Sequence, residues 1–148
     1  MGSNPEFKQL ALSLGKYFAE NNIMLIYGGG NVGLMGVLSH SVMNHGGKVT
    51  GVIPNFMVEK ELADYSITKL HRVDSMHERK KLMSDLADGF IAIPGGIGTL
   101  DELFEIFTWR QLGLHSKPIG LLNYNGYYDS MINFLRNITA NGFMKQEI

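Results

Sequence analysis

GFIAIPGGIGTLDE, Gly89 to Glu102, is the stretch on which the reading of the fold turns. Gly89 to Ile93 is a short apolar run without alternation, the pattern of a strand buried on both faces. From Leu100 to Leu112 the apolar residues recur at helical spacing. Gly95, Gly96, Gly98 and Thr99 therefore sit where a strand ends and a helix begins. Glycine lets the backbone approach a ligand closely, and the unpaired N–H groups of a helix start attract anions, phosphate above all. Glu102 stands about one turn into that helix. A phosphate cradle beside a carboxylate points to chemistry on a phosphorylated substrate. A plainer reading makes Thr99 the helix cap and Glu102 the far member of a T-x-x-E capping box. That accounts for Thr99 and Glu102 but not for the three glycines, and both readings can hold together. No Walker lysine follows, which argues against an NTP-hydrolysing P-loop.

Outward from this stretch, strands and helices alternate. Pro5 to Asn21 reads as an amphipathic helix, with Phe7, Leu10, Ala11, Leu14 and Phe18 on one face, Asn4 as its cap and Pro5 at its first position. Ile23 to Gly28 is a strand, Leu34 to Asn44 a helix and Lys48 to Pro54 a strand. Asn55 to Asp74 is less regular, with a short strand near Ser66 to Val73. Met76 to Leu86 is a helix, Pro118 to Asn123 a strand and Tyr127 to Asn141 a last helix. The pattern predicts an α/β fold, a Rossmann-like, doubly wound parallel sheet with helices on both faces, in one nucleotide-binding domain over 1–148. Ligands of such folds bind outside the carboxyl ends of the strands, where both glycine loops fall. A doubly wound fold usually opens on a strand; this chain opens on a helix, as a shortened form lacking the first strand would.

Composition narrows the function. The chain's 148 residues fit a single core, and a net charge of −1 gives no broad attraction to nucleic acid or anionic membrane. No apolar run approaches the roughly 20 residues that span a bilayer, and the N-terminus lacks the pattern of a signal peptide. The sequence has no cysteine, which excludes disulfides and thiolate metal sites and fits a cytoplasmic protein.

GGGNVGLMG, Gly28 to Gly36, satisfies G-x-G-x-x-G after a strand. A dinucleotide site also expects an acid at the end of the next strand, where Pro54 and Asn55 stand instead, so NAD binding is disfavoured and a tight turn with close helix–strand packing is at least as good a reading. SMHERKK, Ser75 to Lys81, places Arg79, Lys80 and Lys81 near a helix start, where acids are the usual choice. Such charges are most often a solvated face, although the planar fork of Arg79 suits a phosphate or a purine edge. His77 has no second His or Cys at ligand spacing, which argues against a metal site. Phe104, Phe107 and Trp109 read as core or subunit interface before base stacking.

Taken in order, GGGNVGLMG, SMHERK and PGGIGTLDE resemble the LOG-type proteins, cytokinin-activating phosphoribohydrolases long misnamed lysine decarboxylases. Trp109 to Asp129 resembles the family's following segment, so the likeness covers nearly the whole chain. It implies hydrolysis of the N-glycosidic bond of nucleoside 5′-monophosphates, AMP or N6-prenyl-AMP, to free base and ribose 5-phosphate. It implies Arg79 and Glu102 as catalytic residues, and substrate binding by Met76, Lys80, Gly95, Gly96, Ile97, Gly98 and Thr99. Glu61 matches, by its distance, a family acid near the base. A homodimer with the site close to the subunit interface is also implied. No cofactor is needed, no metal is required by anything in the chain, and nothing resembles a pyridoxal site. Whether Arg79 serves the base or the phosphate stays open. The family usually begins with a strand ending in a Gly-Ser turn, of which Gly2 to Asn4 would be the remnant, and continues past Ile148.

Overall fold

The computed structural model describes residues 4–144; Gly2 and Ser3, in the expected remnant of the Gly-Ser turn, lie outside them. The chain divides into two compact units, Met1–Ala87 and Asp88–Ile148. Both are α/β with parallel strands, as the alternating pattern predicts.

The first unit begins with α1, Pro5–Glu20, whose cap Asn4 accepts a hydrogen bond from the Glu6 N–H. Next come β1 (Leu25–Tyr27), α2 (Gly33–Asn44), β2 (Val49–Pro54), β3 (Lys69–Val73) and α3 (Met76–Leu86). The strands pair in parallel in the order β1-β2-β3, with Leu25 opposite Val49 and Thr50 opposite Lys69. Every residue of the central strand β2 is buried, Thr50 included, as in a parallel sheet covered on both faces. Leu25, Tyr27, Leu38, Val42, Val49, Val52 and Ile53 form the core. Helices α1 and α2 meet closely at Gly15, where a Cβ would lie 2.5 Å from the Ser41 Cβ; the Ser41 hydroxyl donates across the contact to the Leu12 carbonyl at 2.7 Å.

The second unit runs β4 (Phe90–Ala92), α4 (Ile97–Gln111), β5 (Ile119–Leu121) and α5 (Asp129–Ala140). Strand β4 pairs in parallel with β5, Phe90 opposite Ile119. Ala92, Leu103 and Tyr128 are the buried centre, with Leu100, Phe107 and Ile132 packed against it; Phe107 is thus a core residue. Among the described residues no helix is long and apolar enough to cross a membrane.

Three sequence expectations need correction. Strand β4, read as buried on both faces, has Ala92 buried but Ile91 45% exposed, in a sheet of two strands. Helix α4 starts at Ile97, three residues before the first apolar repeat, with Gly96 as N-cap and no side-chain cap bond. Thr99 therefore lies inside the first turn and cannot cap it, and the T-x-x-E box does not form. Apolar periodicity could not find this start, because Gly98 carries no side chain to mark it. A reciprocal cap stands on α3 instead: Ser75 Oγ accepts from the Glu78 N–H at 3.1 Å, and Glu78 Oε2 accepts from the Asp74 N–H at 2.9 Å. Ser75→Ala is expected to cost about 1 kcal/mol, read as a lower urea midpoint with an unchanged slope.

Candidate functional site

In the first unit, three separate stretches of sequence meet on one guanidinium. Arg79 is 3% exposed. Its Nη2 donates to the Gly28 carbonyl and to Glu61 Oε2, both at 3.1 Å. Its Nη1 faces two thioethers, Met57 Sδ at 3.7 Å and Met76 Sδ at 3.8 Å. Its Nε–H is buried with no acceptor among the described residues. Burying a guanidinium is costly unless it is paired and hydrogen-bonded, and here an acid and a backbone carbonyl supply the strong contacts on one side. The other side is lined by sulfur, a weak acceptor.

The glycine loop explains how the arginine fits. A Cβ on Gly28 would stand 2.0 Å from Arg79 Nη2, and a Cβ on Gly30 would stand 2.9 Å from the Glu61 carbonyl oxygen. Residues 61–64 are tied to this loop by backbone bonds, Asn31 N–H to the Glu61 carbonyl and Asp64 N–H to the Gly29 carbonyl. The faces that a pyrophosphate would need at Gly28 and Gly30 are thus filled by the chain's own Arg79 and Glu61. Close packing wins over dinucleotide binding at this motif.

Behind the loop lies a polar patch that the sequence did not announce. Asp64, buried, stands 3.1 Å from His40 Nε2, and its other oxygen accepts from the N–H and hydroxyl of Ser66. Burial pushes the Tyr27 hydroxyl up to about 12, with the charges of Asp64 and Glu61 adding to the rise. Tyr27 therefore stays protonated at neutral pH.

In the second unit, the glycines at the head of α4 differ from one another. A Cβ on Gly95 would collide with Thr99, 2.2 Å from its Oγ1, so Gly95 makes room for the threonine. Gly96 and Gly98 have nothing within 4 Å of an added Cβ and no left-handed φ. Nothing among the described residues requires glycine at either position, and both are exposed. The first helical bond runs from the Leu100 N–H to the Gly96 carbonyl, so the amides of 97–99 lie ahead of the ladder. Residues 98, 99 and 102 fall on one face of the helix by its periodicity. Glu102 thus stands one turn beyond a bare, amide-rich surface.

Two tyrosines that the sequence showed only as part of a longer segment hold this loop from behind. Tyr127 donates to the Gly95 carbonyl at 2.7 Å and Tyr128 to the Ile93 carbonyl at 2.6 Å. Burial pushes the Tyr128 hydroxyl up to about 12, so it remains a donor. Separations of more than thirty residues hide these contacts from any local pattern.

The structure therefore brings Arg79, Glu61 and Met76 together in the first unit, with half-buried Lys80 next along α3. It gathers Gly95, Gly96, Ile97, Gly98, Thr99 and Glu102 at the head of α4 in the second. A family model described as "possible lysine decarboxylase" matches residues 35–148. The cytokinin riboside 5′-monophosphate phosphoribohydrolase LOG of Oryza sativa subsp. japonica is 44% identical over 99% of this chain and 60% of its own length. The chain belongs to the LOG family. A second relative, the cytokinin riboside 5′-monophosphate phosphoribohydrolase of Rhodococcoides fascians, is 45% identical over 97% of this chain and 73% of its own. The chain thus spans less than two thirds of the rice LOG protein and about three quarters of the bacterial one. The fold is shared more widely: the molybdenum cofactor carrier protein of Chlamydomonas reinhardtii aligns over 90% of this chain and 77% of its own at TM-score 0.70 with 19% identity, a likeness of fold alone.

The bare glycines allow a direct test. Gly96→Ala and Gly98→Ala should leave thermal stability unchanged or slightly higher, because alanine lowers the entropy of the unfolded chain where the native backbone accepts it. Each should weaken binding of a phosphorylated ligand about tenfold or more, the effect of crowding a close backbone contact. Calorimetry with AMP measures the second effect and a melting curve the first.

Proposed function

We propose that this chain hydrolyses the N-glycosidic bond of nucleoside 5′-monophosphates, releasing the base and ribose 5-phosphate, with N6-modified AMP as the substrate class. The observation that carries the reading is the head of α4. Two glycines that the fold does not need leave amides uncovered, and a carboxylate follows one turn later. Membership of the LOG family, at 44–45% identity to two relatives named as phosphoribohydrolases, supports it.

In this reading the amides of Gly96 to Thr99 take the 5′-phosphate, a contact remote from the reacting bond that fixes the ribose. Glu102 faces the sugar, stabilises the positive charge that grows at the anomeric carbon, and orients or deprotonates the attacking water. Arg79 supplies positive charge, to the departing base or to the phosphate. Among the described residues its Nη1 contacts two thioethers, weak acceptors that a substrate oxygen or nitrogen would outcompete. Glu61 and Met76 fix the guanidinium, and Lys80 adds charge beside it. The protein acts as a homodimer in the cytoplasm, without a cofactor, and 1–148 works as one nucleotide-binding domain.

A base-release assay tests this with AMP, isopentenyl-AMP and, as a phosphate-free control, adenosine. Release from the monophosphates and not from adenosine is the expected result. AMP binding without any ribose 5-phosphate would make the chain a nucleotide carrier and end the hydrolase reading.

A further inference from the structure

We propose that Tyr127 and Tyr128 are positioning residues for phosphate binding: their hydroxyls clamp the Gly95 and Ile93 carbonyls and so aim the amides at the head of α4. The inference rests on the reading of that loop as the phosphate site.

A trans peptide is planar, with its N–H pointing opposite to its C=O. Fixing the Gly95 carbonyl from one side therefore fixes the Gly96 N–H toward the other. Tyr127 makes this bond at 2.7 Å. The Ile93 carbonyl belongs to a peptide whose nitrogen is Pro94, which has no N–H to give. Tyr128, bonding that carbonyl at 2.6 Å, anchors the end of the strand and sets where the loop begins. A donated hydrogen bond also polarises the peptide and strengthens its own N–H as a donor, by about 10–30%.

Glycines at 95, 96 and 98 leave this loop otherwise free to choose among many backbone states, at an entropic cost when a ligand selects one. A loop that must be both bare and fixed needs its restraint from outside, on the carbonyl side. The tyrosines occupy that side. They are themselves placed by a turn of unusual economy: the Asn123 side chain accepts from the Tyr128 N–H and donates to Asp129 Oδ1, both at 2.7 Å. Gly126 at φ +73° and Asn125 at φ 50° close the turn. The rings of Tyr127 and Tyr128 meet edge to face at 4.9 Å. The N-x-x-G-Y-Y-D run thus sets two hydroxyls on two carbonyls of the loop.

Tyr127→Phe in the full chain is the decisive variant, since Tyr127 is 45% exposed and its ring keeps its packing. Loss of one hydrogen bond should weaken ribose 5-phosphate binding and raise the AMP KM about tenfold each, with kcat within about twofold of wild type. Adenosine, which has no phosphate, should bind both proteins equally. Tyr128→Phe, at a buried residue, should show the same split, with a lower melting temperature besides. Equal ribose 5-phosphate affinity in wild type and Tyr127→Phe overturns the proposal, as does a loss that falls equally on adenosine or on kcat alone. Wild type that binds ribose 5-phosphate tyrosine-dependently, yet releases no base, would leave the clamp standing and remove only the hydrolase.

Discussion

Arg79→Ala should lose about 3–5 kcal/mol of stability in urea unfolding, the cost of breaking a buried ion pair from one side, and lose on the order of 10²-fold in base release. The stability loss comes from what stays behind. Glu61, its side chain 18% exposed, loses the cation it pairs with, and the Gly28 carbonyl loses a donor. The space between them was shaped for the guanidinium: glycine at 28 exists to admit it. Alanine leaves a cavity lined by a carboxylate, a carbonyl and two sulfurs. Arg79→Lys should recover little, because an ammonium cannot reach Gly28 and Glu61 with the same planar fork. Arg79→Met combined with Glu61→Gln should recover most of the stability, since it removes both charges and fills the space, but none of the activity. That separation is the point of the experiment. If the double variant also restores base release, the arginine is a structural plug and has no part in the reaction.

Much of the fold was legible because parallel strands and their helices leave strong marks. The strand β2 within Lys48 to Pro54, the Asn4-Pro5 start of α1 and the bounds of α3 all stand where local chemistry puts them. The misplaced start of α4 has a clear cause: a helix that opens with Gly96-Ile97-Gly98 shows no apolar face there, and Ile97 is 81% exposed. The capping box failed for the same reason, and the S-x-x-E that forms was hidden inside a motif read for its cations. The candidate site was legible as a set of residues, through the motifs and the family resemblance. How those residues are used was not. That Gly28 yields to Arg79, that Glu61 holds it, and that Tyr127 and Tyr128 grip the loop from behind are contacts between distant positions. Spacing along a chain carries no record of them.

Glu102→Gln isolates charge from shape. The amide keeps the size of the side chain and its place one turn into α4, half-buried next to the core residue Leu103. Stability should change by about 1 kcal/mol, the typical effect of a single substitution, with the helix intact. AMP binding should hold if, as proposed, backbone amides that the substitution does not touch grip the phosphate. Turnover should fall on the order of 10²-fold or more. The reason lies in the transition state: as the bond to the base stretches, the ribose approaches an oxocarbenium ion. A negative charge beside it lowers the barrier, and the same oxygen can take a proton from water. A neutral amide does neither, although it can still accept a hydrogen bond. Since the charge on the ribose exists only at the transition state, the loss should appear in kcat and not in KM. A rise in KM with kcat preserved would show that Glu102 holds the substrate without assisting its cleavage, and the catalytic carboxylate would have to be sought elsewhere in the chain.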